Sequence, residues 1–381
     1  GIATALSPQA DLGTDPRWYR FNSTFGDDPV LSTDMVRAYC EAFQADNAEN
    51  TGWGTGSVNT MVKHWPGGGS GEGGRDAHYG NGKFAVYPGG CYELLKEPFT
   101  KGAFALPGKT GKASAVMPYY TVSYDQTGEN VGNSYNREII ENQLRKGCGF
   151  DGVICTDWVI TDDPVDPGTH WSKPWGVEKL TVAERHYKAL MAGVDQYGGN
   201  NQKAPVIEAY AIGCREHGEP WMRQRMESSA RRLLLNSFRP GLFENPYVDV
   251  EESMAYVGSP ALMDEGYKQQ LKSVIMLKNS KKALPLARKT KVYIPNRVVP
   301  AMRNYWGGTD KPMDYAPVDS ALLAKYFDVA ATPEEADAAI FFMDSPKSWR
   351  MGYDPADKAK GGNGYIPISL QYRPYTAVNF S

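Results

Sequence analysis

Short apolar runs that end in polar residues recur along the first part of the chain. The run at 152–155, Gly-Val-Ile-Cys, breaks into Thr156 and Asp157 before Trp158. A second segment, 58–62, is predicted as a buried strand and leads directly into a lysine and a histidine. An uninterrupted apolar run such as 152–155 is typical of strands buried on both faces, as in parallel sheets. The pattern therefore predicts parallel strands whose ends carry polar side chains.

Helical spacing of apolar residues separates these strands. It predicts helices over 32–47, with Ser32 or Thr33 as N-cap, over 134–146 and over 182–192. Strand and helix alternate from Ile2 to about Leu235, which indicates βα units and a parallel sheet. Because polar residues cluster at the strand ends, a (β/α) barrel is favoured over an open doubly wound sheet.

The remaining sequence predicts a second domain. Residues 1–242 are assigned to the barrel and residues 243–260, which begin within a stretch rich in Pro, Gly and Asn, to a linker. Residues 261–381 alternate between helical and apolar segments and are assigned to an α/β sandwich domain that ends in an unfinished pattern. A whole barrel needs about 250 residues, so we expect its N-terminal strands to be missing from this chain.

Composition excludes several classes of protein. Lys+Arg 41 and Asp+Glu 44 give a net charge of -3, so no nucleic-acid partner is indicated. No apolar run approaches the ~18 residues of a membrane span. The five cysteines show no metal-ligand spacing, so no metal site is expected. The 40 glycines suit tight loops, and the flat rings of the 23 tyrosines suit the binding of sugars. A large, loop-rich enzyme with another substrate would have a similar composition, so composition alone does not identify the ligand.

The chemistry-bearing residues lie at the predicted strand ends. Asp157 is either a catalytic carboxylate or the cap of the following turn. Lys63 and His64 together offer several N–H donors to a polar ligand, whereas a histidine alone is more often structural. Arg20 lies in a long loop, 8–29, that is dense in Asp, Gly and aromatic residues. Such loops are often functional, although an arginine among aromatics can be purely structural.

Five blocks of sequence resemble glycoside hydrolase family 3 in order and spacing. They are DPRWYRFNSTFGDDP (15–29), KHWPGGG (63–69), GFDGVICTDW (149–158), AGVDQY (192–197) and SVIMLKNSKKALPL (273–286). The resemblance covers nearly the whole chain and implies a (β/α) barrel followed by an α/β sandwich. It also implies retaining, exo-acting hydrolysis of a terminal β-linked sugar, with no metal or organic cofactor.

The resemblance also implies roles for individual residues. Asp157 is similar to the family nucleophile, which attacks the anomeric carbon and forms a covalent glycosyl-enzyme. The family residues that bind hydroxyls of the sugar in the innermost subsite match Arg20, Lys63 and His64. Tyr120 resembles an aromatic residue that lines this subsite, and Trp158 is similar to the residue that packs beside the nucleophile. Basic side chains near Asp157 would keep it ionised.

Two departures from the family leave alternatives open. The missing early strands predict that a second polypeptide, or a segment outside this sequence, completes the barrel. The general acid/base is one of three candidates: Asp344 after the predicted strand 338–343, the Asp76 and His78 pair, or an acid beyond Ser381 or on a partner. Asp-x-His pairs serve in the β-N-acetylglucosaminidase branch of the family, although His78 could equally be a structural loop residue.

The predicted function is that of a β-glucosidase that releases terminal β-D-glucose from small oligosaccharides or glycosides. The alternatives are a β-N-acetylglucosaminidase and a sugar-binding protein without activity. No signal peptide is visible in the first residues. A periplasmic or secreted location is favoured over the cytoplasm.

Overall fold

The computed structural model describes residues 1–163, 172–303, 308–344 and 354–362. They form two compact units. The first comprises residues 1–247 together with 354–362, and the second comprises 248–344. The domain boundaries expected from sequence, with a linker at 243–260, stay a prediction. A short helix, Val250–Tyr256, lies within that segment.

A parallel sheet forms the centre of the first unit. The strands of this unit are β1 (Thr4–Ala5), β2 (Asn59–Trp65), β3 (Phe84–Ala85), β4 (Ala115–Pro118), β5 (Val122–Ser123) and β6 (Val153–Ile154). The main sheet has the order β1-β2-β4-β6, and every neighbouring pair is parallel. A parallel bridge from Cys155 to Gln196 continues this order beyond β6. The predicted α/β class is therefore confirmed.

Helices connect the strands of this unit. They are α1 (Pro29–Gln44), α2 (Tyr92–Glu97), α3 (Val182–Ala192), α4 (Lys203–His217) and α5 (Glu219–Phe238), with wider π-helical segments at Pro98–Ala103 and Glu138–Gly147. The predicted start of α1 at Ser32 or Thr33 is wrong. The Asp28 side chain accepts from the Leu31 N–H and Pro29 occupies the first turn, so the helix begins earlier.

The sheet is buried on both faces. Val62, Val116 and Ile154 pack into one large apolar cluster with the helices. Their strand neighbours form a second cluster on the opposite face, made of Met61, Ala115, Met117, Val153 and Cys155. Because side chains alternate along a strand, burial on both faces requires the continuous apolar runs seen in the sequence.

A buried ion cluster fixes the end of β6. The Asp195 carboxylate is fully buried and accepts hydrogen bonds from Arg145, from Arg232 at 3.2 Å and from the Ile154 backbone N–H at 3.0 Å. Charged bonds of this kind inside the protein are stronger than neutral ones. The cluster therefore holds the strand that leads to Asp157 in a defined register.

The second unit also contains a parallel sheet. Its strands are β7 (Lys291–Tyr293), β8 (Arg297–Val299), β9 (Met302–Arg303), β10 (Thr309–Asp310), β11 (Met313–Tyr315), β12 (Asp328–Val329) and β13 (Ala338–Ala339). The order β12-β7-β13 is parallel, while β8 with β11 and β9 with β10 form antiparallel pairs.

Four further helices complete the described part of the chain. The helices are α6 (Val250–Tyr256), α7 (Pro260–Lys272), α8 (Ser320–Ala324) and α9 (Pro355–Ala359). Helix α7 ends at Lys272, with Ser273 as C-cap. Within the described residues, no helix combines the length and apolar character needed to cross a membrane.

Candidate active site

Strand β2 carries two of the predicted site residues. Lys63 and His64 were expected to follow the strand directly, but β2 continues through both of them to Trp65. Its register against β4 shifts between Lys63 and Trp65, and the peptide between Lys63 and His64 is cis. The register shift re-aims side chains that would otherwise alternate between the two faces of the sheet.

The Asp11 carboxylate orients His64. Asp11 Oδ2 lies 2.7 Å from His64 Nδ1, and Oδ1 accepts from the backbone N–H groups of His64 and Gly68. An ionised carboxylate only accepts, so Nδ1 carries the proton. Burial acts to raise the pKa of Asp11. The His64 ring, the Gly68 N–H group and the charge of Arg20 nevertheless hold this pKa below its ordinary value.

His64 therefore presents an acceptor to the site. Burial is the main cause that lowers the pKa of His64, and the nearby Arg20 charge adds to it, although Asp11 opposes the shift. The neutral ring with its proton on Nδ1 has a lone pair on Nε2. This atom lies 3.3 Å from Arg20 Nη2 and 3.6 Å from Asp157 Oδ2.

Arg20 is placed by three side chains. Its Nη2 donates to Gln9 Oε1 at 3.3 Å, and its Nη1 lies 3.4 Å from the Tyr119 hydroxyl. The guanidinium also lies over the Tyr119 ring, 5.7 Å from the ring centroid, a favourable cation–π geometry. The loop from 8 to 29 thus brings Arg20 close to His64, near the end of β2.

Asp157 follows β6, and one of its two carboxylate oxygens has no hydrogen-bond partner among the described residues. Oδ1 accepts from the Trp158 backbone N–H at 2.7 Å. Oδ2 is buried, and no donor within the described ranges bonds to it. Buried carboxylate oxygens are normally satisfied, so an orphaned one needs a functional explanation. The side chain is 10% exposed, which leaves it accessible from one side.

Trp158 and Tyr120 surround this carboxylate. The Tyr120 hydroxyl accepts from the Trp158 backbone N–H at 3.0 Å, and the indole is 39% exposed. A Cβ on Gly199 would lie 2.6 Å from the Trp158 ring, so the bare backbone there makes room for the indole. Val159 adopts a φ of 60°, a strained conformation for a β-branched residue of the kind that clusters at active sites.

The Asp76 and His78 pair lies in the same unit. Asp76 is buried, and its Oδ2 accepts from Trp18 Nε1 and the Tyr119 hydroxyl, each at 2.6 Å. Its Oδ1 accepts from the His78 backbone N–H at 2.9 Å and lies 2.5 Å from His78 Nδ1. Burial acts to raise the pKa of Asp76, but His78, Arg20 and Tyr119 together hold it well below its ordinary value.

Ring contacts connect this pair to the nucleophile candidate. The His78 and Tyr120 ring centroids are 4.7 Å apart in an edge-to-face arrangement. The Tyr120 hydroxyl accepts from the backbone N–H of Trp158, the residue after Asp157. The Tyr120 side chain therefore links His78 to the segment that carries Asp157. By contrast, Asp344 belongs to the second unit, where its 63% exposed carboxylate accepts from Arg297 at 2.7 Å.

A half-buried lysine, Lys63, and a buried one, Lys173, belong to the charge environment of Asp157. Burial and the Arg20 charge lower the pKa of Lys63, and Asp157 opposes that shift. Burial lowers the pKa of Lys173 to about 8, although Asp157, Asp76 and Asp162 all favour its charged form. Both lysine charges therefore act on the Asp157 carboxylate.

The structure brings together the six residues predicted from sequence, Arg20, Lys63, His64, Tyr120, Asp157 and Trp158. It adds residues that sequence reasoning missed, namely Gln9, Asp11, Tyr119 and Lys173. Only Tyr119, beside Tyr120 at the tip of β4, carried a local signal. In the described part of the chain, no cluster of three or more His, Cys, Asp or Glu side chains could hold a metal ion.

The fold and the site define a class of α/β proteins in which a buried carboxylate and basic side chains share the carboxyl edge of a parallel sheet. Comparison with protein families narrows this class. Residues 1–235 match the glycosyl hydrolase family 3 N terminal domain, and the chain belongs to this family.

Two curated relatives and one solved structure illustrate the similarity. The chain is 34% identical to "Probable beta-glucosidase C" of Aspergillus oryzae, over 99% of this chain and 54% of the relative. It is 36% identical to "Periplasmic beta-glucosidase/beta-xylosidase" of Dickeya chrysanthemi, over 91% and 50%. A β-glucosidase structure from Erythrobacter marinus superposes with a TM-score of 0.61 at 25% identity, covering 94% of this chain and 45% of that one. The chain thus spans about half the length of these relatives.

Proposed function

We propose that the protein is a retaining, exo-acting β-glycoside hydrolase, and that it releases terminal β-D-glucose from small glycosides or oligosaccharides. The observation that carries this proposal is Oδ2 of Asp157, which is buried and has no hydrogen-bond donor among the residues that the structure describes. It lies 3.6 Å from His64 Nε2, and the charges of two lysines act on the carboxylate. The names of the relatives, β-glucosidases and a β-glucosidase/β-xylosidase, support the choice of sugar.

Asp157 acts as the nucleophile in this proposal. Its Oδ2 attacks C1 of the sugar while the bond from C1 to the leaving oxygen breaks, and the general acid gives that oxygen a proton. Water then attacks C1 of the glycosyl-enzyme and passes a proton to the same group, now a base, which frees the Asp157 carboxylate. Each half-reaction inverts C1, so the sugar leaves with its original configuration.

The basic residues bind the sugar hydroxyls. Lys63 donates N–H bonds, whereas His64 accepts a hydrogen bond at Nε2, because its only proton is used by Asp11. Arg20 already donates toward His64 and Tyr119, and a hydroxyl near His64 can receive a further guanidinium bond. Hydrogen bonds that strengthen as the transition state forms contribute several kcal/mol.

His78 is the acid/base that we propose, with Asp76 as its orienting partner. The Nδ1 proton is directed at Asp76 Oδ1, so Nε2 is the atom that exchanges a proton with the leaving oxygen. The contact between His78 and Tyr120 supports this choice. The same pair is the observation that favours a β-N-acetylglucosaminidase as second candidate. Asp344 and an acid outside this sequence remain alternatives for the experiment to separate.

Three broader expectations from the sequence also stay proposals. We propose that the parallel sheet is part of a (β/α) barrel and that the second unit belongs to an α/β sandwich. A second polypeptide that completes the barrel is testable, since active material with a single 42 kDa band would contradict it. A periplasmic or secreted location is proposed in line with the Dickeya relative, whose name states that it is periplasmic.

Parallel assays of aryl β-glucoside, β-xyloside and β-N-acetylglucosaminide test the proposed function. The β-glucoside is expected to give the highest kcat/KM, and no turnover of any substrate would contradict the proposal. Asp157→Ala should abolish turnover, while Asp34→Ala, at an exposed surface ion pair, is the matched control. Azide should restore turnover to His78→Ala if His78 is the general acid/base. If azide restored turnover to Asp344→Ala instead, Asp344 would be the acid/base.

A further inference from the structure

Tyr119 is a buried residue that contacts both halves of the candidate site. It follows β4 directly, and only 1% of it is exposed. Its hydroxyl lies 2.6 Å from Asp76 Oδ2 and 3.4 Å from Arg20 Nη1. Its ring centroid lies 4.5 Å from that of His64 and 6.2 Å from that of His78. Tyr119 therefore stands between the residues proposed to bind the sugar and the pair proposed to transfer the proton.

The two contacts of the Tyr119 hydroxyl differ in strength. An ionised carboxylate only accepts hydrogen bonds, so the phenol proton is directed at Asp76 Oδ2. At 2.6 Å this is a short, charge-assisted bond, whereas the 3.4 Å contact with Arg20 is longer than an ordinary N–H···O bond. Burial and the Asp76 charge raise the pKa of Tyr119 well above its ordinary value, although the Arg20 charge opposes this. The phenol therefore keeps its proton and acts mainly on Asp76.

The two oxygens of Asp76 have different partners. Oδ2 accepts from the Tyr119 hydroxyl and from Trp18 Nε1, each at 2.6 Å. Oδ1 accepts from the His78 backbone N–H at 2.9 Å and lies 2.5 Å from His78 Nδ1. The Tyr19 hydroxyl is farther from the same nitrogen, at 3.4 Å. The two donors on Oδ2 hold the carboxylate plane in place, so Oδ1 stays directed at Nδ1.

We propose that Tyr119 is a positioning residue for proton transfer, because it holds Asp76 in the orientation that keeps Nε2 of His78 aimed at the leaving oxygen. Trp18 shares this task. The inference rests on the proposed function, and within it on His78 as acid/base. Before the transfer, the His78 ring carries protons on both nitrogens. As Asp157 bonds to C1, the leaving oxygen keeps the electron pair of the broken bond and takes the Nε2 proton, while the Nδ1 proton stays on the bond to Asp76.

The inference predicts that the effect of a change at Tyr119 depends on the leaving group. Phenolate is a poor leaving group that needs the proton from His78, whereas 2,4-dinitrophenolate leaves without one. Tyr119→Phe removes one donor from Asp76 and keeps the ring. General acid catalysis contributes about 100- to 10,000-fold, and we expect the variant to lose about 10-fold of this in kcat/KM on phenyl β-glucoside. On 2,4-dinitrophenyl β-glucoside, kcat/KM should stay within about twofold of the wild type.

The experiment measures kcat/KM on both glucosides for the wild type, Tyr119→Phe and His78→Ala. This quantity reports the steps up to formation of the glycosyl-enzyme. The ratio between the two substrates is the readout, because both carry the same sugar and a damaged fold or a displaced Arg20 would lower both values alike. The control is Tyr92→Phe, which removes another buried hydroxyl, bonded to Gln143 Oε1 at 2.8 Å. It should match the wild type on both substrates.

The outcomes separate the proposals. A wild type that hydrolyses neither glucoside overturns the proposed function, and this inference falls with it. If His78→Ala loses activity equally on both glucosides, the acid/base assignment is overturned and so is the inference. If His78→Ala is selective for the phenyl glucoside and Tyr119→Phe is not, the role of Tyr119 alone is overturned.

Urea unfolding of each variant monitors folding. If Tyr119→Phe does not fold, Trp18→Phe decides in its place, because it removes the other donor from Asp76 Oδ2. A loss confined to the phenyl glucoside then supports the inference, and an equal loss on both glucosides overturns it.

Discussion

Substitution of Asp11 by Asn tests how the site sets the protonation of His64. The Asp11 carboxylate accepts from His64 Nδ1 and from two backbone N–H groups. An amide offers one acceptor oxygen and one NH2 donor. If the oxygen stays on the backbone donors, the NH2 faces Nδ1, and His64 must move its proton to Nε2. There it would face the Arg20 N–H, 3.3 Å away.

The expected effect follows from this mismatch. With the proton on Nε2, His64 can no longer accept from a sugar hydroxyl or from Arg20. One lost hydrogen bond to a charged group is worth about 1.5–3 kcal/mol, which corresponds to a fall of about 10- to 150-fold in kcat/KM. Asp11→Ala should be worse for stability, because each buried N–H group that it leaves unpaired costs about 1–3 kcal/mol.

The assay is kcat/KM on 4-nitrophenyl β-glucoside, combined with urea unfolding for both Asp11 variants. Asp34→Asn serves as the control, because its carboxylate is 62% exposed and pairs only with Arg37 among the ion pairs of the described residues. If Asp11→Asn retained kcat/KM within about twofold of the wild type, the assigned proton position on His64 would be refuted.

Three further predictions concern the same site. The pKa of Asp76 in the folded protein lies below its ordinary value of 3.8, so its contribution to stability is present above that pH and is lost as the pH falls further. Urea midpoints measured down to about pH 3 should therefore change less with pH for Asp76→Asn than for the wild type. A Cβ on Gly69 would lie 1.9 Å from the Leu12 carbonyl oxygen, so Gly69→Ala should lower the free energy of unfolding by about 1–3 kcal/mol or more in urea. Tyr120→Phe removes an acceptor from the Trp158 N–H and should lower kcat about 3- to 10-fold in the glucoside assay, with unchanged kcat as the contradicting result.

Much of the sheet could be predicted from the sequence. The strands predicted at 58–62 and 152–155 became β2 and β6, and the apolar run at 152–155 shows the local signal that burial on both faces leaves. Asp157 was placed correctly after its strand for the same reason. Helix α3 was predicted with its observed limits, since Thr181 and Glu184 form a capping box that fixes its start.

The missed residues share a physical cause. Asp11 and Lys173 lie in irregular loops, where no periodic pattern indicates which way a side chain points. Their roles arise from long-range contacts, such as the one between Asp11 and His64, which are 53 residues apart. The acid/base stayed open for a similar reason, because the choice between His78 and Asp344 depends on tertiary position and not on local sequence.

Trapping the glycosyl-enzyme tests the central claim most directly. A 2-deoxy-2-fluoro-β-glucoside with an activated leaving group slows hydrolysis of the covalent intermediate more than its formation, so labelled protein accumulates. Peptide mass spectrometry should then find the fluoroglucosyl group on Asp157, whose Oδ2 has no hydrogen-bond donor in the described part of the chain. A label on another residue, or active enzyme that never acquires a label, would contradict the account.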